Sequence, residues 1–441
     1  MKQYKTYKDS GVDWMSEVPE DWIITTLKRL ADVKDGTHDT PKYLEKGIPF
    51  ITTKDIKPDG VSFDNCKYIS HDDYKAINKR SDVLKGDIIM PMIGSIGSPI
   101  IVKTNKVFSI KNLALIKQNS KSDLRFICYY LDSSATKFQF GLSTSGGVQD
   151  FISLGVLRNL GIPLLPLEEQ IQIVNYLDHK TKQLDKLIAK KEQLVQLLQD
   201  ERSTMINQAV TKGLDPNTSM KNSGIEWLGE IPKHWKVTRL KRIIDEIFLG
   251  LTAKVDYVEN KEDGVPLIRA GNLFGGKLDL SDMRYISHVQ HEKLTKYRKV
   301  QKGDVLVTKS GSIGVCAILN KDGEYSLYES VFAIRPSVRK LSNKYLLLLL
   351  NSHFLKQQYT AGMVGMGVHH LNMSDMKNTV IPLPNIEEQE KILSTINDRL
   401  EYINTIHDKT IKKIVLLKEY KTALISEVVT GKIDVREEVL N

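Results

Sequence analysis

The stretch 162–213 opens IPLLPLEEQIQIVNYLDHK (162–180) and closes NQAVTKG (207–213). A second version begins IPLPNIEEQEKIL (381–393) and ends SEVVTGKID (426–434), a constant 219 positions on, from Ile162 to Ile381 and from Thr211 to Thr430. Prolines precede each run (Pro163 and Pro166; Pro382 and Pro384), and paired glutamates follow, Glu168–Glu169 and Glu387–Glu388. Proline is tolerated where a helix begins, and carboxylates in the first turn meet the positive end of the helix dipole. Asn385 is placed to cap the second helix with Glu388 as its capping-box partner. Gly213 and Gly431 supply the stop signals. Both runs therefore read as single long helices.

One 4–3 frame fits both copies. It takes in Leu177, Thr181, Leu184, Ile188, Lys191, Val195, Leu198, Arg202, Met205 and Ala209 in the first. In the second it takes in Ile396, Leu400, Ile403, His407, Thr410, Ile414, Leu417, Lys421, Leu424 and Val428. Most positions in each are apolar, a seam suited to coiled-coil packing. A helix this long needs a partner for such a stripe, and each copy is the natural partner of the other. The first helix leaves one globular domain and delivers the chain to a second; the second helix then has to run back. The expected pair is antiparallel, with a globular domain at each end and approximate two-fold symmetry within one chain. About 45 residues at about 1.5 Å each make a spacer of about 65 Å at most. Lys191, Arg202, Thr410 and Lys421 interrupt the seam. They either let their stems snorkel to water or fix register and meet a partner subunit.

Outside the helices the chain is also duplicated. SGVDWMSEVPEDWIITTLKR (10–29) returns as SGIEWLGEIPKHWKVTRLKR (223–242). GIPFITTKDI (47–56) matches GVPLIRAGNL (264–273), YISH recurs at 68–71 and 285–288, and KGDII…GSIG (85–97) recurs as KGDVL…GSIG (302–314). Such spacing is a tandem duplication with small insertions. Between the repeats, β-rich runs (87–93, 100–103, 304–308) alternate with helical ones (121–131, 341–356) and glycine turns, which predicts an α+β class for each globular part. The expected division is 1–165 and 214–384 for the two globular domains, with 166–213 and 385–441 for the helices.

Composition bounds the function. A chain of 441 residues has room for two or three domains. A formal net charge of +9 favours a polyanionic partner. Cys66, Cys128 and Cys316 are scattered, with no CxxC pair, which fits a reducing cytoplasm and argues against a zinc ribbon. The first residues hold no apolar signal-peptide core, and Leu346–Leu350 is too short to span a bilayer, so no membrane partner is expected.

The paired SGxxWxxxxPxxW…LKR openings, the EEQ helix starts and the VTxG-like helix ends, flanking two unlike globular domains, resemble the specificity subunit of type I restriction–modification enzymes. The resemblance covers essentially the whole chain. Asp35–Pro41 (DGTHDTP) also resembles a segment common in first recognition domains of that family, whereas the second half has Leu249–Thr252 in the comparable place. The two domains are thus expected to read different bases. The family implies double-stranded DNA as ligand, with one half-site read by each target-recognition domain and the helices setting the gap. It further implies two docked modification (methyltransferase) subunits and the capacity to carry two ATP-driven restriction subunits. Methyl transfer, ATP hydrolysis and cleavage belong to those partners. The chain itself is expected to be non-enzymatic and without cofactor or metal. Its residues agree: GSIG lacks the Lys-Ser/Thr of a Walker A loop, no Asn-Pro-Pro-Tyr stretch occurs, and Glu419–Tyr420–Lys421 falls inside a coiled-coil helix. The alternatives are a coiled-coil scaffold, a DNA-binding protein outside restriction–modification, and a self-sufficient nuclease or methyltransferase fusion.

Base reading calls for Arg or Lys, Asn or Gln, and Ser or Thr in exposed loops. The candidates in the first domain are Thr37, His38, Thr40, Thr53, Lys54, Ser95 and Gln149, the last in the glycine-rich loop 145–150. In the second they are Lys254, Arg269, Asn272, Lys309, Ser310, Ser312, His369 and His370. The GSIG stretches serve equally well as tight turns between strands. His71 and His288 repeat in register, which suits a shared structural hydrogen bond. Trp14, Trp22, Trp227 and Trp235 repeat too, which suits bracing each domain on the helices.

Overall fold

The computed structural model of the chain describes residues 2–94, 96–119, 122–143, 151–250, 255–259, 261–274, 276–360 and 370–438. Packing divides it into two compact units, residues 1–192 with 411–441, and residues 193–410. Each unit contains one globular domain and half of each long helix, so the grouping by contact cuts across both helices.

The helices span Leu167–Thr211 and Ile386–Val429. Every position of the 4–3 frame is buried or half-buried, which puts the seam inside. In the first unit the Lys421 ammonium donates to both oxygens of Asp185 (2.6 and 2.8 Å), and Lys418 donates to Glu192 (2.9 Å). In the second, Arg399 donates to Glu201 (2.6 Å) and Gln199 meets His407 (3.1 Å). Residue numbers rise along one helix as they fall along the other, so the segments are antiparallel within each unit. These pairs are exposed and contribute about 0.2–1 kcal/mol apiece. The seam carries the association. Asn385 caps as expected, accepting from the Glu388 amide (2.8 Å), while the Glu388 carboxylate turns to His234 (2.8 Å).

Both helices end against the duplicated tryptophan segment. Gly431 (φ +76°) abuts Pro19 and Trp22, and Gly213 (φ +74°) abuts Trp235 and Pro232. Trp22 and Trp235 are fully buried among helix residues, Val428 and Val429 in the first unit and Ile206 and Val210 in the second. An aromatic side chain of this kind buries roughly 150–250 Å², about 4–6 kcal/mol as an upper bound. The Trp22 indole donates to Glu169 (3.2 Å), which also accepts from Tyr4 (2.8 Å). Of the four repeated tryptophans, these two brace a domain on the helices. Trp14 packs half-buried against Gly161, and Trp227 is exposed beside Phe354, ring centroids 5.2 Å apart.

The same strand plan recurs in each unit. In the first, a sheet runs in the order 100–101, 88–91, 113–118, 31–35, all antiparallel. In the second the order is 316–318, 305–308, 331–336, 244–249. Strands Ile88–Pro91 and Val305–Thr308 are buried throughout because both faces are covered. Ile88 and Met90 face the core that includes the helix ends, and Ile89 faces a second core under the strands 109–110, 48–51 and 67–69. The helical run expected over 341–356 is two helices, Asn343–Asn351 and His353–Thr360. Ser352 leaves the helical region, its hydroxyl donating to the Leu349 carbonyl (2.6 Å) and accepting from the Leu355 amide (3.2 Å). Ser133 makes the same break in the first unit, donating to Tyr130 (2.6 Å). Among the described residues no helix is long and apolar enough to cross a membrane.

Candidate nucleic-acid interface

Backbone hydrogen bonds knit several loops into one edge of the first domain. The Ile152 amide donates to Met92 (2.9 Å), Met92 to Asn112 (3.4 Å), Asn112 to Thr37 (3.2 Å), and Lys111 to Ile51 (2.9 Å). That ladder sets side by side the loop after Asp35, the GSIG loop, the Lys111–Asn112 turn and the segment at residue 151, and Lys111 joins the turn at 52–55 to them. The second domain repeats it: Leu371 donates to the Lys309 carbonyl (3.0 Å), Lys309 to Ser330 (2.7 Å), and the Ala270 amide to the Ser330 hydroxyl (3.1 Å). Loop tips with exposed polar groups on a sheet edge offer donors and acceptors to an extended ligand without disturbing the core.

Gly36 and Gly250 follow corresponding strands, their amides bonded to Leu113 (2.9 Å) and Val331 (3.2 Å). A Cβ on Gly36 would lie 2.3 Å from the Ile110 carbonyl oxygen; one on Gly250 would lie 2.3 Å from those of Leu327 and Tyr328. Beyond Gly36, the half-exposed His38 ring is fixed between Asn112 (Nδ1, 2.9 Å) and Asp35 (Nε2, 3.0 Å). Asp35 is buried and also accepts from Arg80, while Lys111 donates to the exposed Thr40 hydroxyl. In the second domain Leu249, Tyr297 and Ser330 occupy the places of Asp35, Arg80 and Asn112. A largely apolar groove of about 450 Å³, lined by Leu249, Gly250 and Tyr297 among others, lies where the first domain has its charged cluster. The two edges thus share a frame and differ in chemistry.

The ladder brings together Thr37, His38 and Thr40, with the 3-10 turn carrying half-buried Thr53 and exposed Lys54 joined to it through Ile51. In the second domain it brings together Lys309, Ser310, exposed Ser312, exposed His370 and Arg269. Among the described residues, the buried Arg269 Nε meets no hydrogen-bond partner. Ser95, Gln149, Lys254 and His369 lie outside the described residues. Asn272 corrects the expectation from sequence. It is 4% exposed, accepts from the Arg269 amide (3.0 Å), and donates to the carbonyls of Asp279 (3.3 Å) and Asp282 (3.1 Å). Its carboxamide is spent within the domain, as is the carboxylate of its counterpart Asp55, which accepts from the Thr52 amide (2.8 Å).

The GSIG stretches are tight turns in both domains. Gly94 and Gly97 have φ of +77°, Gly311 and Gly314 of +75° and +77°, and Ile96 and Ile313 each donate back to the first glycine. Thr308 secures the second turn by accepting at its hydroxyl from Val315 (3.0 Å). The repeated hydrogen bond near YISH comes not from the histidines but from the preceding serines, with Ser70 accepting from Asp73 (3.0 Å) and Ser287 from Gln290 (3.3 Å). His71 and His288 are exposed first residues of the helices so capped. Sequence reading missed Lys111, Asn112, Arg80 and Ser330. Asn112 carried a signal, since an asparagine between two apolar runs suits the left-handed conformation it adopts (φ +56°). Among the described residues, no group of three His, Cys, Asp or Glu could hold a metal ion.

Residues 19–197 and 232–416 match the family described as the type I restriction modification DNA specificity domain. The chain is 26% identical over 444 aligned residues to the type I restriction enzyme MjaVIII specificity subunit of Methanocaldococcus jannaschii, covering 98% of this chain and 97% of that one. It is 24% identical to the type I restriction enzyme EcoBI specificity subunit of Escherichia coli, covering 96% and 89%. In fold it resembles a chain from a solved structure addressing complex assembly and conformational transition of the type I R-M system, with a TM-score of 0.69 at 16% identity and coverage of 94% of this chain and 99% of that one.

Proposed function

Because this chain belongs to the type I restriction–modification DNA specificity family, we propose that it is the subunit that reads a bipartite double-stranded DNA target, one half-site at each loop edge. The domains at 1–165 and 214–384 are the readers, and the antiparallel helices between them set the gap. Two modification subunits dock along the helices and supply methyl transfer, and restriction subunits join the same assembly. The chain works in the cytoplasm and contributes no catalytic group of its own.

The observation that carries this reading is the repeated hydrogen-bonded edge, built alike in both domains but furnished with different side chains. Two copies of one frame with unlike contacts are what reading two unlike half-sites requires. Thr37, His38, Thr40, Thr53 and Lys54, joined by Lys111 and Asn112, face the first half-site. Arg269, Lys309, Ser310, Ser312 and His370 face the second, and Ser95, Gln149, Lys254 and His369 extend the two sets. His38, its two ring nitrogens taken by Asn112 and Asp35, fixes the shape of the loop that faces the DNA, while the lysines serve phosphates.

The test is methylome sequencing of a host expressing this chain with its modification subunit. The expected result is a two-part motif with a fixed gap. Replacing residues 1–165 by another member's first domain changes one half of that motif; a change in both halves, or in neither, refutes independent reading. Deleting one heptad from both helices changes the gap or abolishes assembly.

A further inference from the structure

Arg202 interrupts the seam of the first long helix in the second unit. Its counterpart one repeat on is Lys421, which is bonded to both oxygens of Asp185. The register that sets Gln199 against His407 puts Arg202 opposite Asn404 one turn further along, and Asn404 is the counterpart of Asp185. The carboxylate present in one unit is therefore an amide in the other. Among the described residues Arg202 has no hydrogen bond and no ion pair, and burial alone pulls its pKa below the usual guanidinium range, with no carboxylate offsetting it.

Arg202 lines a groove of about 580 Å³ in the second unit. Leu347, Leu348, Leu393 and Leu400 give it apolar walls, Lys277 and Lys344 add positive charge, and Glu390 and Asp398 are the acids on its lining. At its edge Phe274, cross-strand partner of Lys277, is 81% exposed. A DNA backbone is charged throughout and gains nothing from leucine walls or an exposed phenyl ring. An amphipathic helix gains from both, and the three helical segments bounding the groove form ridges into which another helix packs.

We infer that this groove receives an amphipathic helix of a partner polypeptide, whose acidic side chain pairs with Arg202 and supplies in trans the carboxylate that Asp185 supplies in cis. The proposal rests on the reading that modification subunits dock along the helices. It deepens that reading by making the two ends unequal: the second unit demands an acid from its partner and the first does not. Guanidinium suits such a role, being weakly hydrated and able to grip a carboxylate through two parallel bonds.

The experiment titrates the full-length chain with its co-encoded modification subunit by calorimetry. Arg202→Met removes the charge and keeps the stem. Asn404→Asp copies Asp185 and offers Arg202 a partner in cis, which a rise in the unfolding midpoint of the free chain reports. Each variant is expected to weaken one of the two binding steps by about tenfold or more while leaving the other unchanged. The double variant adds no further loss, and Lys421→Met leaves both steps as they were. If the wild-type chain binds modification subunits and both variants bind them equally well, this inference is overturned and the docking reading stands. If the wild-type chain binds none, the docking reading fails and takes the inference with it. A loss of DNA affinity in Arg202→Met without any modification subunit present would assign the groove to nucleic acid and overturn the inference as well.

Discussion

Gly36→Ala tests whether the loop edge of the first domain is a reading head. The added Cβ would stand 2.3 Å from the Ile110 carbonyl oxygen, where ordinary contact begins near 3.4 Å, so the backbones must part by about 1 Å. Ile110 is followed by Lys111 and Asn112, which hold Thr40 and His38, so the displacement falls on the candidate contacts. Overpacking of this kind costs about 1–3 kcal/mol of stability. A hydrogen-bonded base contact misplaced by that distance loses about 1–3 kcal/mol of discrimination, roughly 5- to 150-fold. The assay is methylation, with the modification subunit at fixed salt, of duplexes carrying the full target or one scrambled half-site. Gly36→Ala should abolish the penalty for scrambling one half and keep it for the other. Gly250→Ala, which meets the Leu327 and Tyr328 carbonyls at 2.3 Å, should do the reverse. If both variants blunt both halves equally, or if each keeps full discrimination, the loop edges do not read DNA.

Asn272→Ala should cost about 1–3 kcal/mol in denaturant unfolding of the second unit, because buried partners lose their bonds; a variant with native stability and lost DNA affinity would reinstate Asn272 as a base contact. Gly431→Ala should destabilise more than Gly213→Ala, since both have positive φ but a Cβ meets Pro19 at 2.5 Å in one case and Trp235 at 3.4 Å in the other. The shared conformational penalty is about 1–2 kcal/mol, and equal losses would show that the helix end does not press on Pro19. Burial, helped by the facing Lys299 and His288 and opposed by Glu324 and Glu292, lowers the pKa of His291 below 6.5, and its Nδ1 meets Ser326 at 2.8 Å. A histidine kept neutral on folding contributes stability that is full above pH 6.5 and lost as pH falls through 6.5 toward the lower folded value. Unfolding midpoints of the second unit should therefore drop between pH 7.5 and about 5.5, and His291→Gln should flatten that slope; an unchanged slope would mean His291 is not its source.

The duplication, the long helices with their caps and inward seam, and the α+β character of the domains were all legible in the sequence. Each is carried by residues adjacent in the chain or a fixed period apart, so propensity, capping chemistry and repetition suffice to read them. Asn272 shows the limit. Its residue type suited adenine, but the fold buries it and spends its carboxamide on Arg269, Asp279 and Asp282. The His38 clamp needs Asp35, Arg80 and Asn112, and the edge ladder needs Thr37, Met92, Asn112 and Ile152. Those groups are far apart in sequence, and only the strand order of the sheet makes them neighbours. The same holds for the long helices: the 4–3 frame identified Arg202 as a seam residue, but only the antiparallel register set Asn404 rather than a carboxylate opposite it. Local sequence determined which elements form, and tertiary pairing decided which of their side chains are brought to face one another.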